Sequence, residues 1–366
     1  MLPLAAAPRS LCILRLSALG DTCHIVPVVR TLQQAWPATQ LTWIIGQAES
    51  RLMRLLDGVE FITVNKRAGL AAWRELHRQL RGRQFEVLLH MQLALRASLL
   101  ARTVAARVRL GFDRARAREL QWLFTNAQIE PRSREHVLDS FFGFAAALGI
   151  RERVLRWDLA LPADALEYAQ RLIPDGRPTL LISPCSSHIL RNWRAERYAA
   201  VARHAARTRG MRVILVGGRS PGEAAAGAAI ERELADTTLA LNQIGQDTLP
   251  QLLALLARAT LLLAPDSGPV HMATMVGTPV IGLYAATNPA RSGPYLSRQW
   301  CVDAYARAAA RYCHRPPEQL PWTLKIERPG VMDLIGVDEV ITRLDELLRY
   351  GDGRAAGAGL PGGAAG

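Results

Sequence analysis

The sequence predicts an α/β protein made of two doubly wound halves that face each other across a cleft. Short apolar runs, glycine-containing turns and helical segments alternate in the first half of the chain, and the same order restarts near Arg177. The length of 366 residues exceeds the roughly 100 to 200 residues of an ordinary domain. Polar turns follow several of the apolar runs, at the sheet edge where such folds bind ligands.

The boundary between the halves is predicted near Pro162, where the stretch WDLALPADALEYAQ is richer in proline and acidic residues. This boundary gives a first domain at residues 1–162 and a second domain at residues 163–350. The remaining residues 351–366, GDGRAAGAGLPGGAAG, contain few bulky apolar side chains and are expected to be disordered.

The first half begins with a predicted strand at Leu11–Leu16, a turn with one glycine, and a helix that runs to Trp36. A single glycine does not match the G-x-G-x-x-G fingerprint of dinucleotide-binding proteins. The turn does place a carboxylate, Asp21, at the end of the first strand. Further along, SREHVLDSFFGFAAALGI is a predicted helix with Ser133 as its N-cap and Gly149 at its end.

The second half contains the most informative stretch, LLLAPDSGPVHMATMVGTPVIGLY at residues 261–284. It reads as a strand, a polar turn at Asp266–Pro269, a short helix and a second strand. A helix N-terminus in this position offers free amides to an anion. From these residues alone, an anion site and simple helix capping by Asp266 or Ser267 are equally favoured.

Composition excludes several classes of protein. No apolar run approaches the ~18 residues that a membrane span needs. Arg9 and Arg15 interrupt the apolar N-terminus, so it does not match a signal peptide. The five cysteines show no paired spacing, which favours a reducing cytosol over a disulfide framework or a zinc site.

The formal charge of +13 is concentrated in one part of the chain. Between Arg51 and Arg118 there are fifteen Lys or Arg and five Asp or Glu, a net charge of +10. Solvated helix faces account for part of this excess. The rest indicates an acidic partner, which is nucleic acid, an anionic membrane or a phosphorylated substrate. No aromatic residues are interleaved as a stacking platform requires, so we expect no nucleic-acid partner.

Four segments together resemble glycosyltransferase family 9, the heptosyltransferases of lipopolysaccharide core synthesis. They are LRLSALGDTCHIVP, LLISPCSSHILRNWRAERYAAVA, VILVGGRSPGE and APDSGPVHMATMVGTPVIGLY, and they run in the family's order over most of residues 11–290. The resemblance implies the two-domain GT-B fold, with an acceptor-binding first domain and a nucleotide-sugar-binding second domain. It implies ADP-heptose as the donor and an anionic Kdo-lipid A inner core as the acceptor. It also implies a cytoplasmic enzyme in peripheral contact with the inner membrane.

The resemblance assigns roles to individual residues. It implies that Asp21 is the general base that deprotonates the acceptor hydroxyl. It implies that Arg191, where the family often has lysine, stabilises the leaving diphosphate. The implied donor-binding residues are Ser186, Ser187, Glu223, Asp266, Ser267, Gly268 and His271. The implied acceptor-binding residues are Lys66, Arg67, Arg96 and Arg118.

The expected chemistry is an inverting displacement at the anomeric carbon, which needs a base on one face and charge stabilisation on the other. Arginine and a helix N-terminus can carry the phosphate charge, and no DxD-like carboxylate pair is present, so we expect a reaction without metal or other cofactor. Three alternatives stay open. They are a family transferase with another sugar or acceptor, an epimerase of the same fold, and a nucleotide-binding protein without catalysis. His24, His90 and His136 stay open between structural and site roles.

Overall fold

The structure, a computed structural model, describes residues 2–357 of the chain, with side chains described as far as Tyr350. The first half forms a sheet of six parallel strands with helices on both faces. Its strands are β1 (Ser10–Leu14), β2 (Gln40–Gly46), β3 (Val59–Val64), β4 (Phe85–His90), β5 (Ala106–Gly111) and β6 (Ala127–Gln128). Its helices are α1 (Leu19–Ala35), α2 (Gln47–Met53), α3 (Leu70–Leu80), α4 (Leu95–Ala101) and α5 (Val137–Leu148).

The second half forms another six-stranded parallel sheet. Its strands are β7 (Thr179–Ile182), β8 (Arg212–Leu215), β9 (Leu241–Asn242), β10 (Leu261–Pro265), β11 (Val280–Tyr284) and β12 (Val302–Asp303). Its helices are α6 (Ala163–Leu172), α7 (Ala195–Arg209), α8 (Pro221–Leu234), α9 (Leu249–Arg258), α10 (Gly268–Met275), α11 (Pro289–Ser292), α12 (Tyr305–Cys313) and α13 (Val337–Gly357).

The two sheets have the same strand order. The first runs β3-β2-β1-β4-β5-β6, and the second runs β12-β11-β10-β7-β8-β9. Numbered within its own half, each sheet therefore has the doubly wound order 3-2-1-4-5-6. This order creates one switch point between β1 and β4 and another between β7 and β10. The prediction of two doubly wound halves is confirmed.

The central strands are continuous apolar runs because both faces of a parallel sheet are covered by helices. Every residue of β10 and β11 is buried, as are the last four residues of β1. One apolar core extends across both halves, because α1 packs against α10 and α2 packs against α9. The halves are thus joined by buried hydrocarbon on one side and open toward the polar ends of the strands on the other.

Two local predictions differ from the structure. Helix α5 begins after His136, not after Ser133, because the Nδ1 atom of His136 accepts a hydrogen bond from the Leu138 amide at 3.1 Å. Its predicted end is confirmed, since Gly149 caps the helix with φ of 107°. The tail expected to be disordered from residue 351 begins inside α13, and residues 358–366 lie outside the described residues.

Among the described residues, no helix combines the length and the apolar character that crossing a membrane requires.

Candidate active site

A cavity of about 1130 Å³ lies between the halves at the carboxyl ends of β1, β7 and β10, next to both switch points. It is lined by both domains and is rich in polar groups. Its walls contain both residues predicted to be catalytic, Asp21 and Arg191. They also contain every predicted donor-binding residue, namely Ser186, Ser187, Glu223, Asp266, Ser267, Gly268 and His271.

Asp21 lies in the first turn of α1 and faces the cavity from the first half. Its carboxylate forms an ion pair with Arg15 and accepts a hydrogen bond from the Ala18 amide at 3.4 Å. The loop before it is held by Gln92, whose side-chain oxygen accepts from the amides of Leu16 and Ser17 at 3.0 and 3.2 Å. About a third of the Asp21 side chain is exposed, so the carboxylate is oriented and still reachable.

The turn after β10 faces the cavity from the second half. Ser267 occupies the N-cap position of α10, but its hydroxyl makes no capping hydrogen bond, and its buried Oγ has no partner among the described residues. The first amides of α10 are therefore available to an anion. Between an anion site and plain capping, the hydrogen bonding favours the anion site.

Arg191 reaches the cavity from the turn after β7 and is 8% exposed. Its Nε and Nη2 atoms both donate to Oε1 of Glu327, at 2.8 and 2.5 Å. Its Nη1 atom lies 3.9 Å from Oδ2 of Asp266. Nearby, the Ser186 hydroxyl donates to the Asp266 carbonyl at 2.7 Å, which ties the two turns together.

Two further carboxylates lie on the second-half wall. Glu223 forms a capping box with Ser220, and its Oε1 accepts from the Gly218 amide at 2.7 Å, so its oxygens are engaged by their own loop. Asp247 has a buried Oδ2 atom without a partner among the described residues. Burial raises the pKa of Asp247 to about 7, against smaller lowering effects of its backbone hydrogen bond and of Arg219.

The predicted acceptor residues are divided by the structure. Arg118 lines the cavity, and its guanidinium donates to the Thr323 hydroxyl of the opposite half. Lys66 is paired with Glu49 at 2.7 Å, and the side chain of Arg96 donates to the Lys66 carbonyl at 3.1 Å. Lys66, Arg67 and Arg96 do not line the cavity between the halves.

Sequence reasoning missed four cavity-lining cations, Arg51, Arg219, Arg291 and Lys325. Arg291 follows β11, and its place just beyond a strand end is a signal that could have found it. Lys325 and Glu327 come from residues 296–330, which match no motif. Only the return of this segment toward the first half brings Lys325 to the cavity and Glu327 to Arg191.

The histidines left open by the sequence are buried. His24, on α1, packs edge to face against His271 on α10 and against His136, with ring centroids 4.5 and 5.3 Å apart. Burial lowers the pKa values of His24 and His271, and it lowers that of His136 to about 4. His90 contacts the Ser98 hydroxyl at 3.0 Å. These rings pack as neutral groups, and His24 and His271 also reach the cavity wall.

Within residues 2–357, the structure contains no group of three or more histidine, cysteine, aspartate or glutamate side chains arranged to hold a metal ion.

Comparison with known proteins agrees with this geometry. Residues 73–321 match the model of glycosyltransferase family 9 (heptosyltransferase). The lipopolysaccharide core heptosyltransferase OpsX of Haemophilus influenzae is 40% identical over 347 residues, which cover 93% of this chain and 97% of OpsX. A family 9 glycosyltransferase structure from Veillonella parvula superposes with a TM-score of 0.76 at 20% identity, covering 93% and 97% of the two chains. The ADP-heptose lipopolysaccharide heptosyltransferase II of Escherichia coli superposes with a TM-score of 0.72 at 18% identity, covering 94% and 99%.

Two doubly wound domains that enclose a cavity at their strand ends define the GT-B fold. The extent of the family match and the identity to OpsX then establish the family. The chain belongs to glycosyltransferase family 9, the heptosyltransferases.

Proposed function

We propose that the protein transfers a heptose from ADP-heptose to the inner core of lipopolysaccharide, with inversion at the anomeric carbon. The 40% identity to a lipopolysaccharide core heptosyltransferase supports the acceptor class. The name of the superposable E. coli enzyme motivates the choice of ADP-heptose as donor. The acceptor is a Kdo-lipid A type core, which is anionic and suits a chain of formal charge +13.

The observation that carries this proposal is that one cavity has a carboxylate on one wall and anion-binding groups on the other. Asp21 enters from the first half, while Arg191 and the N-terminus of α10 enter from the second. A displacement needs a proton acceptor near the incoming hydroxyl and positive charge near the departing phosphate. Opposite walls of one cleft satisfy both needs.

In the proposed reaction, the Asp21 carboxylate takes the proton of an acceptor hydroxyl. The acceptor oxygen forms a bond to the anomeric carbon of the heptose as the bond from that carbon to the diphosphate oxygen breaks. ADP leaves with the electron pair of the broken bond. The α10 amides and Arg191 stabilise its charge, and Arg15 keeps the base oriented.

The test of this proposal is the variant Asp21→Asn in an assay with ADP-heptose and deacylated core acceptor. We expect kcat to fall about 100- to 10,000-fold, because the amide cannot accept the proton. The Kd for ADP should stay within about threefold, since Asp21 belongs to the opposite wall. Asp338→Asn is the matched control, because Asp338 also lies in the first turn of a helix, α13, but not at the cavity. Unchanged turnover of Asp21→Asn would exclude the base assignment.

We also propose that the transfer needs no metal ion. The support is chemical: the helix amides and Arg191 are suited to carry the diphosphate charge themselves. EDTA at about 5 mM removes trace divalent cations. Wild-type turnover in its presence should therefore equal turnover with added Mg²⁺. Turnover that appears only with a divalent cation would contradict the proposal.

Finally, we propose that the enzyme is cytoplasmic and docks on the inner membrane through its first half. The support is a set of exposed large apolar side chains in the same part of the chain as the basic excess: Leu70, Trp73, Leu95, Leu99, Leu120 and Leu123. Apolar groups among cations are typical of surfaces that bind anionic bilayers.

A further inference from the structure

Arg291 is a cation for which the fold supplies no partner. It lies on α11, just beyond β11, and it lines the cavity from the second half. The side chain is half-buried. It makes no hydrogen bond and no ion pair with any side chain or carbonyl in the described part of the chain. A partly desolvated guanidinium without a hydrogen bond or ion pair is unfavourable unless a bound ligand supplies the partner.

The charges around Arg291 do not neutralise it. Burial lowers its pKa, Asp21 and then Asp266 oppose that effect, and the cations Arg118 and Arg15 reinforce it. Each of the two carboxylates has another cation, since Asp21 is paired with Arg15 and Asp266 lies 3.9 Å from Arg191. Arg291 and its charged neighbours together therefore have a net positive charge inside the cavity, which favours binding of an anion there.

The position of Arg291 decides which reactant carries that anion. Its charged neighbours include Asp21, Arg118 and Arg15 of the first half, beside Asp266 and Lys325 of the second. Arg118 itself reaches across the cleft to the Thr323 hydroxyl of the second half. Arg118 and Arg291 thus line the same cavity as Asp21 and come from opposite halves.

The groups proposed to bind the donor diphosphate are a different set. These are the first amides of α10, the Ser267 hydroxyl and Arg191, all from the second half. Arg291 is not needed to bind the donor diphosphate.

We propose that Arg291 and Arg118 form an acceptor-side oxyanion subsite, which holds a carboxylate or phosphate group on the acceptor sugar beside Asp21. The inference rests on the proposed function, since it takes the acceptor to be an anionic core sugar. It assigns part of acceptor selection to the donor-binding half, so the subsite is complete only with both halves in place. Two arginines suit this role because their planar forks bind carboxylate and phosphate bidentately.

The experiment measures acceptor binding by calorimetry, without turnover, for Arg291→Gln, Arg291→Lys and the control Arg298→Gln. Arg298 is an exposed arginine seven residues away that does not line the cavity. The three probes are deacylated core acceptor, the same acceptor with its sugar-acid carboxylate methyl-esterified, and the same acceptor after phosphatase treatment. ADP is titrated separately. Thermal unfolding checks that each variant is folded.

We expect Arg291→Gln to weaken binding of the intact acceptor about 10- to 100-fold, with partial recovery in Arg291→Lys. The acceptor that has lost the recognised anion should bind wild type and Arg291→Gln equally, and which of the two modified acceptors does so identifies the anion. ADP affinity should change less than twofold in every variant, and Arg298→Gln should match wild type throughout.

The inference would be overturned if Arg291→Gln lost the same affinity for all three acceptors, or lost none. It would also be overturned if wild type did not bind the acceptor. A loss of ADP affinity in Arg291→Gln would overturn it too, and would assign Arg291 to the donor diphosphate. Failure of the proposed function looks different: wild type would bind acceptor through Arg291 but would not transfer heptose from ADP-heptose.

Discussion

Arg191 shows how a neighbouring residue fixes one side chain in place. Its fork makes two hydrogen bonds to a single oxygen of Glu327, so the guanidinium is fixed at the cavity wall before any ligand arrives. A lysine has no such fork and would present a point charge. Glu327 therefore holds Arg191 in position, and it comes from a segment without a recognisable motif.

Arg191→Lys should separate charge from geometry. We expect kcat/KM for the donor to fall about tenfold, because the ammonium keeps the charge but cannot keep the two-bond contact with Glu327. Glu327→Gln should lower it less, since the amide oxygen still accepts from Arg191. Steady-state kinetics of both variants and of the double variant form a cycle that measures the coupling. Wild-type kinetics in Arg191→Lys would show that the fork is dispensable.

Asp247 makes the protein's stability depend on pH. Burial raises its pKa to about 7, whereas an unfolded aspartate titrates near its ordinary value of about 4. A raised folded pKa gives stability that is complete below the unfolded value and is lost as pH rises through about 7. The cause is the cost of ionising a half-buried carboxyl.

Asp247→Asn should remove this dependence, because the amide has a similar shape and does not ionise. Between pH 5 and pH 8 we expect the free energy of unfolding of wild type to fall by about 2–3 kcal/mol relative to that of the variant. Urea titrations at several pH values measure the difference. Parallel pH curves for the two proteins would contradict the assignment.

The contact between α1 and α10 joins the halves directly beneath the cavity. Gly20 lies in the first turn of α1, and a Cβ atom there would stand 2.4 Å from Cδ2 of His271. His271 is buried and packs against His24, so it has little room to move. The absence of a side chain at Gly20 lets α1 and α10 come this close.

Gly20→Ala should therefore destabilise the protein by about 1–3 kcal/mol through overpacking, and it should weaken ADP binding by displacing α10. Gly222→Ala is the matched control, because Gly222 is also the second residue of its helix, α8, and a Cβ there meets nothing within 4 Å. The control should be neutral or slightly stabilising. Thermal unfolding checks both; equal stabilities would refute the packing argument.

Taken as a whole, the molecule has its basic excess in the first half, in the same part of the chain as several exposed apolar side chains, while most of the recognisable motifs are in the second half. Many of the cations are already paired, for example Arg83 with Glu60 and Arg116 with Asp113. The net charge between Arg51 and Arg118 is nevertheless +10, because forming an ion pair does not change the sum of the formal charges. This asymmetry orients the proposed membrane contact.

We expect the protein to co-sediment with vesicles that contain anionic lipid at ~0.05 M salt and to be released at ~0.5 M, where the Debye length falls below about 5 Å. Leu70→Glu should reduce binding, since Leu70 is 76% exposed beside the basic residues. Leu166→Glu, at a 50% exposed leucine of the second half, should not. Equal binding of both variants would contradict docking through the first half.

Sequence reasoning was sufficient for the architecture and for much of the site. Buried strands and strand-terminal turns are local patterns, so the two halves, Asp21 and the turn at Asp266–Gly268 could be predicted without coordinates. Parallel sheets then bring such turns to one edge, which makes local motifs informative about the cavity.

Only the tertiary structure determined which residues far apart in the chain come into contact. The pairing of Arg191 with Glu327, the approach of Arg291 to Asp21 and the packing of Gly20 on His271 each join segments more than 100 residues apart. Residues 296–330 carry no motif, so only folding places Lys325 at the cavity and Glu327 against Arg191. Charge compensation acts through space, and a linear pattern contains no record of which charges it leaves unpaired.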